Sequence, residues 1–182
     1  LVIRRQRQMC IRDSYYAAWQ ALFHRCGPQN WLMLYALAHW AFGPSKLLEQ
    51  VTQEAQEKVM PGLLSGTESM CFGLSEPNAG SDASMIKTKA TRDGDGWRIN
   101  GRKIWTTNAP IADYCVIFAV TDPTLAGQKK GGITAFIAPT DSPGFTVQRI
   151  IKLFGHVGGD EAELAFDDLY VEPWQVVGEL NK

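Results

Sequence analysis

The chain has 182 residues, 45% hydrophobic and 20% charged, a globular composition with room for one domain with a real core or two small ones. Eighteen Lys and Arg against 19 Asp and Glu leave a net charge of -1, which gives no electrostatic case for a nucleic-acid or anionic-membrane partner. Four cysteines (Cys10, Cys26, Cys71, Cys115) stand far apart with no CxxC pair, and three histidines (His24, His39, His156) are equally scattered. That spacing supports no metal site and demands no oxidising compartment, so reduced thiols in an intracellular setting are expected. The longest apolar run, Trp31 to Phe42, is interrupted by His39 and is too short to span a bilayer. The basic start is followed by no apolar stretch of signal-peptide type.

Residues 1–12 hold four arginines and no acid, unlike everything after them. They read as non-native or disordered through residue 13, with a solvated basic helix start as the alternative. The absence of an initial methionine, and an end at Asn181-Lys182 without a closing element, read as a fragment. From Ser14 the pattern is helical. Tyr15, Ala18, Trp19, Leu22 and Phe23 recur at three- and four-residue steps up to Cys26-Gly27-Pro28. A second helix is expected from an N-cap at Asn30 through Trp31, Leu34, Leu37, Ala38 and Ala41 to Gly43-Pro44. A third is expected after Ser45, carrying Leu48, Val51, Ala55 and Val59 and ending at Pro61-Gly62.

From Met70 the texture turns to β. Asp93-Gly94-Asp95-Gly96 and Asn100-Gly101 are turn signals on either side of Trp97-Arg98-Ile99, which reads as a hairpin. Tyr114 to Val120 and Gly132 to Ala138 read as buried strands. Phe145 to Ile150 alternates like a half-exposed one, and Leu164 to Val171 is the last before Pro173. Short strands separated by Gly, Pro and Asp turns predict a sandwich or barrel, not a parallel sheet.

Several chemistries find no support. Gly127 to Gly132 holds two lysines but lacks the phosphate-loop order and reads as a solvated hairpin tip. No GxSxG or HExxH occurs, and His24 and His39 read as packing residues. Two segments stand out. In Cys71 to Asp82 a short strand enters a loop of Pro, small residues and hydroxyls. Ala79 and Gly80 would let a ligand approach the backbone, and Ser75 and Ser81 offer donors. In Lys103 to Asn108, Trp105 and Thr107 share a face of a strand, a pairing that suits a planar heteroaromatic. On residue chemistry alone, a core tryptophan beside a strand threonine is the stronger reading.

Leu74-Ser75-Glu76-Pro77-Asn78-Ala79-Gly80-Ser81-Asp82 and, further on, Ile99-Asn100-Gly101-Arg102-Lys103-Ile104-Trp105-Thr106-Thr107-Asn108 closely resemble the acyl-CoA dehydrogenase family. Pro61 to Gly66 is similar to the family's linker, and Phe166 to Pro173 to its final barrel strand, so the resemblance covers about Trp31 to Gly178. It implies an α+β chain, an N-terminal α-helical segment followed by an antiparallel β-barrel. Residues 14–69 would end the helical domain and 70–182 would form the middle flavin- and acyl-CoA-binding domain. The C-terminal helical domain, with the glutamate that serves most members as catalytic base, would lie outside this chain, so no Glu or Asp here takes that role.

The resemblance also implies FAD. Phe72, Gly73, Leu74, Ser75, Gly80 and Ser81 would line the flavin and its pyrophosphate, with Ser81 also meeting the acyl-CoA. Trp105, Thr106 and Thr107 would pack on the isoalloxazine, Thr107 near its N5. The implied reaction is α,β-dehydrogenation of an acyl-CoA thioester, hydride passing to the flavin and electrons leaving to an electron-transfer flavoprotein. An oxidase of the same fold and a non-catalytic barrel that only binds are the alternatives. The full-length protein is expected to be a homo-oligomer, cytoplasmic in a bacterium or in the mitochondrial matrix of a eukaryote. One departure stands out: Val157, Gly159 and Glu161 occupy places where the family commonly carries Arg and Ser or Thr.

Overall fold

The computed structural model describes residues 48–154 and 160–182, all within the unit Pro44–Lys182. The two helices expected from Tyr15 and from Asn30 lie outside the described residues, as do the expected cap at Ser45 and the segment 155–159.

Helix α1 (Gln53–Ser65) starts later and ends later than the sequence signals suggest. Thr52 is its N-cap: the hydroxyl accepts from the Ala55 amide at 3.1 Å and donates to the Trp174 carbonyl at 2.7 Å. Val51, expected inside the helix, instead makes an antiparallel bridge to Val177. Pro61 sits inside the helix, where it has no amide to donate to the preceding turn and crowds the carbonyl there. The final turn buries Leu63 and closes at Gly66, held at φ 74, whose amide reaches back to the carbonyls of Gly62 and Leu63. Burial of one more apolar turn overrides the local stop signal.

Eight strands follow: β1 (Met70–Gly73), β2 (Lys89–Asp93), β3 (Gly96–Thr107), β4 (Tyr114–Val120), β5 (Ile133–Pro139), β6 (Phe145–Ile151), β7 (Glu161–Val171) and β8 (Val176–Val177). They form one sheet in the order β6-β7-β3-β2-β4-β5-β8, with β1 beside β4. The pairings are antiparallel except β1 with β4 and the single pair Lys89–Val120. Gly94, at φ 59, makes the expected turn between β2 and β3. Asn100-Gly101 makes no turn. It lies within β3, at a register shift against β7, and a Cβ on Gly101 would come within 2.5 Å of Thr88 Oγ1. The glycine is there for close approach rather than for reversal.

The β4–β5 connection contains a short helix that the sequence reading missed, α2 (Pro123–Gly127), capped by Asp122, whose carboxylate accepts from the Thr124 amide at 2.8 Å and the Leu125 amide at 3.1 Å. Among the described residues no helix is long and apolar enough to cross a membrane.

The sheet packs on both faces, which explains the unbroken apolar run of β4. Cys115, Ile117 and Ala119 of β4 join Trp97, Ile99, Phe136, Leu164, Phe166 and Leu169 in the main core. Val116 of β4 and Ala135 and Ile137 of β5 face the other way, onto Ala55, Val59 and Leu63 of α1. Phe136 is fully buried with its ring 5.5 Å from that of Trp97. Phe136→Ala should therefore cost about 3–5 kcal/mol of unfolding free energy in a urea titration; a loss below 1 kcal/mol (about one buried methylene) would contradict this assignment of the core.

Candidate functional site

The two segments singled out by the sequence are neighbours in space, and one lysine joins them. β1 delivers the chain into the loop Leu74–Asp82. The loop is pinched where Glu76 and Ala79 exchange backbone hydrogen bonds of 2.8 and 3.1 Å. Lys103, on β3, has no exposed surface. Its ammonium donates to the Leu74 carbonyl at 3.1 Å and to Glu76 Oε1 at 2.9 Å. Glu76 is buried too, and its carboxylate accepts from the amides of Lys87 at 2.6 Å and Thr88 at 2.9 Å. One residue on, the Ile104 amide donates to the Ser75 carbonyl at 2.9 Å.

Gly73 runs beside the lysine stem: a Cβ there would lie 3.4 Å from both Lys103 Cγ and Cys115 Sγ, an ordinary van der Waals contact. Burial pushes the Lys103 ammonium below its ordinary value against the pull of Glu76. Burial pushes the Glu76 carboxyl up, but hydrogen bonds from Thr88, Lys103 and the Lys87 amide outweigh it and hold the group below its ordinary value.

The other half of the site is a bulge. β3 pairs with β7 through Lys103–Leu164 and then Thr106–Ala162, so three steps on β3 match two on β7. The extra length lies at Ile104-Trp105, and Trp105 adopts φ 60, a conformation that a bulky residue rarely takes and that costs of the order of 1–3 kcal/mol. Trp105 is 53% exposed, whereas Lys103 and Thr106 are both buried. Simple alternation therefore fails here, and the expectation of a core tryptophan fails with it.

The bulge places Thr106 with a buried hydroxyl that has no partner among the described residues. Thr107 Oγ1 donates to Glu161, at 2.8 and 2.9 Å from its two carboxylate oxygens. The donor role expected of Thr107 toward a ring nitrogen is thus unavailable until that bond is broken.

The remaining expected positions divide. Leu74 and Ser75 lie against Lys103-Ile104, with both of their carbonyls already engaged. Phe72 turns to the opposite face of β1 from Cys71 and Gly73 and packs on Phe118, ring centroids 5.0 Å apart. Leu74 and Phe118 share an apolar cleft of about 360 Å³ with Ala126 and Ile133, and Lys129 and Lys182 also line it. Gly80 and Ser81 are exposed further along the loop, and a Cβ on Gly80 would meet open space. Ala79, expected to admit a ligand, is instead buried with Ile86 and Val120.

Beside Ser81, Asp82 pairs with Lys129 at 2.8 Å, and that ammonium together with the Ser84 hydroxyl lowers its carboxyl to about 2. Of the substituted loop 153–161, Val157 and Gly159 lie outside the described residues, while Glu161 is the buried partner of Thr107. No group of three potential metal ligands occurs among the described residues. The sequence reading missed the roles of Lys103, Glu76 and Glu161. A lysine at a strand position between Ile99 and Thr106 was the available signal for the first, since a mid-strand lysine flanked by core residues needs a buried anion.

Lys103→Met leaves Glu76 buried without its cation and should destabilise the chain by about 3–5 kcal/mol in chemical denaturation. A loss under 1 kcal/mol, the usual worth of an exposed pair, would show that the lysine does not anchor the loop. Because the Glu76 carboxyl is lowered in the folded chain, its stabilisation is present above the ordinary value of 4.5 and is lost as pH falls through the lower, folded value. Glu76→Gln should lack that acid-side component, and identical stability–pH profiles for the two proteins would refute it.

The profile described as the acyl-CoA dehydrogenase middle domain matches residues 71–169. The chain is 38% identical over 169 residues to a probable acyl-CoA dehydrogenase, YngJ, of Bacillus subtilis, covering 93% of this chain and 43% of that protein. It is 39% identical over 145 residues to the mitochondrial isovaleryl-CoA dehydrogenase of Solanum tuberosum, covering 80% of this chain and 34% of the relative. Among solved structures, butyryl-CoA dehydrogenase from Megasphaera elsdenii superposes with a TM-score of 0.69 at 40% identity, over 75% of this chain and 36% of that one. The chain thus spans between a third and a half of the length of these proteins. With β1 through most of β7 inside the matched residues, the chain belongs to the acyl-CoA dehydrogenase family.

Proposed function

We propose that this chain supplies one side of an FAD and acyl-CoA site in a flavin-dependent acyl-CoA dehydrogenase, with residues 70–182 as the middle, ligand-binding domain and residues 14–69 as the end of a helical domain. The observation that carries the reading is Trp105. A large aromatic ring is held out of the core at φ 60, and such strain persists where the surroundings impose it and a ligand uses it. The buried hydroxyl of Thr106, without a partner among the described residues, is a second sign of a polar ligand beside the bulge. The residues present therefore fit a flavin.

Bound there, FAD would accept the hydride removed from the acyl chain. Trp105 would cover the ring by aromatic stacking, Thr106 would supply a hydroxyl at its edge, and Thr107 would do so once released from Glu161. Leu74 and Ser75 would meet the ring with the Ser75 hydroxyl and backbone amides, because their carbonyls point inward to Lys103 and Ile104. Gly73 would approach this surface as the last residue of β1 before the loop, and Phe72, on the other face of the strand, would act only through Phe118, which shares the apolar cleft with Leu74. Gly80 and Ser81, exposed at the loop's far part, would reach the pyrophosphate and the acyl-CoA.

The proton abstraction needs a carboxylate free to ionise and to reach the substrate. Glu76 is committed to Lys103 and two amides, and Glu161 to Thr107, so neither serves, which agrees with a base supplied from outside this chain. Electron-transfer flavoprotein is the acceptor that this reading implies.

FAD titration followed by visible absorbance tests the reading. The wild-type chain should perturb the flavin spectrum saturably, and Trp105→Ala should weaken binding by roughly five- to tenfold, about 1–1.5 kcal/mol of lost stacking. Anaerobic addition of an acyl-CoA to the full-length protein should then bleach the flavin. A wild-type protein that leaves the FAD spectrum unchanged would overturn the proposal.

A further inference from the structure

Cys71 and Cys115 are separated by a hairpin and a long loop in sequence, yet they are direct register partners in the parallel pair of β1 and β4. Both are fully buried, and both belong to the same core cluster, so their side chains leave the sheet on the same face. Neighbouring strands run about 4.8 Å apart, inside the span of roughly 4.4–6.8 Å that disulfide-linked Cα atoms occupy. The two sulfurs are not joined in the structure, and no step of the proposed dehydrogenation uses them.

We propose that Cys71 and Cys115 form a reversible disulfide, an oxidation site that staples β1 to β4 beneath the candidate ligand loop. The link would close a covalent ring containing every candidate position from Phe72 to Thr107. This inference goes beyond the flavin reading and does not depend on it.

The chemistry needs an external two-electron oxidant, here a low-molecular-weight disulfide. One cysteine thiolate attacks the oxidant, forming a mixed disulfide and releasing one thiolate of the oxidant. The second cysteine then attacks the protein sulfur of that mixed disulfide, forming the Cys71–Cys115 bond and releasing the other thiolate. Two protons leave the cysteines, and two electrons pass from them to the oxidant.

Access is the slow part. The neighbouring Cys115 thiol and burial push the Cys71 thiol well above its ordinary value, so the closed fold holds it protonated and unreactive. β1 is only four residues long, but its Met70 and Cys71 are buried and Leu74 and Ser75 just beyond it are bonded to Lys103 and Ile104 of β3, so an oxidant reaches the thiols before the sheet closes around them. Directly opposed residues of parallel strands must also draw their Cβ atoms together to about 3.5–4.5 Å, and a bridge strained in this way is easily reduced.

The test refolds the full chain in a glutathione redox buffer, so that burial cannot protect the thiols, then alkylates the free thiols and maps the peptides without reduction. The result expected is a Cys71–Cys115 peptide pair about 2 Da lighter than the two free-thiol peptides together, as a two-electron oxidation requires. It should exceed any other pairing of these two cysteines by at least about tenfold, and vanish on adding dithiothreitol. Cys71→Ser and Cys115→Ser should each abolish it, with Cys71→Ala as a second variant should the serine disturb the core. Refolded protein in which both residues are alkylated, or joined mainly to glutathione, Cys10 or Cys26, would overturn the proposal.

Discussion

The buried ion pair of Lys103 and Glu76 is the constraint on which the candidate site depends. A lysine with no exposed surface is tolerated only if its charge is met. Here one carboxylate oxygen and the Leu74 carbonyl meet it, while the amides of Lys87 and Thr88 complete the carboxylate's own shell. The same contacts that satisfy the charge fix the loop. Turning the Leu74 carbonyl outward would leave the ammonium with Glu76 as its one partner, and Ser75 is held one step on by the Ile104 amide. Each partner is a poor choice alone in an apolar interior. Together they favour this loop position, because moving either partner away leaves a buried charge unpaired.

Immediately beyond Lys103 the strand gains its extra residue, and the two features belong together. Lys103 faces inward to hold the loop, and Thr106 faces inward where pairing with β7 resumes. The residues between them have nowhere to go but outward, so the bulge turns Trp105 into solvent beside the loop that Lys103 has fixed. The strain of a left-handed tryptophan is thereby held in place by ladder hydrogen bonds on one side and a buried ion pair on the other. Glu161 adds a local constraint of its own, engaging the Thr107 proton at the end of the same pair of strands.

Most of the fold was legible because its signals are local. The strand expected from Tyr114 to Val120 is β4 as found, and β5, β6 and β7 contain or nearly match their expected spans, since apolar runs bounded by Pro, Gly and Asp leave little choice. Parallel pairing of β1 with β4 could not be read, because it is a product of topology and not of either segment. α1 passes through Pro61-Gly62 because burial of Leu63 and a left-handed Gly66 outweigh a local breaker. Asn100-Gly101 has turn composition, but the contact with Thr88 gives the glycine a different purpose.

The site was legible as motifs and much less so as geometry. Period-two reasoning placed Trp105 and Thr107 on one face, whereas a bulge that no single-residue signal marks decides what Trp105 does. Ala79, small and loop-borne, looked like a place for a ligand and is core. Thr107 looked like a free donor and is engaged by an acid 54 residues away, a pairing set by the β3–β7 register. Trp105, Thr106, Ser75 and Leu74 nonetheless end up beside the same contact between loop and strand.

Determining the crystal structure of the full-length protein with FAD would test most directly whether the ion pair and the bulge together present a flavin surface. The isoalloxazine should lie in van der Waals contact with Trp105, with Ser75 and Thr106 at its edge and the Lys103–Glu76 pair intact beneath. A flavin bound elsewhere on the sheet, or one seated only after Lys103 and Glu76 separate, would contradict this placement.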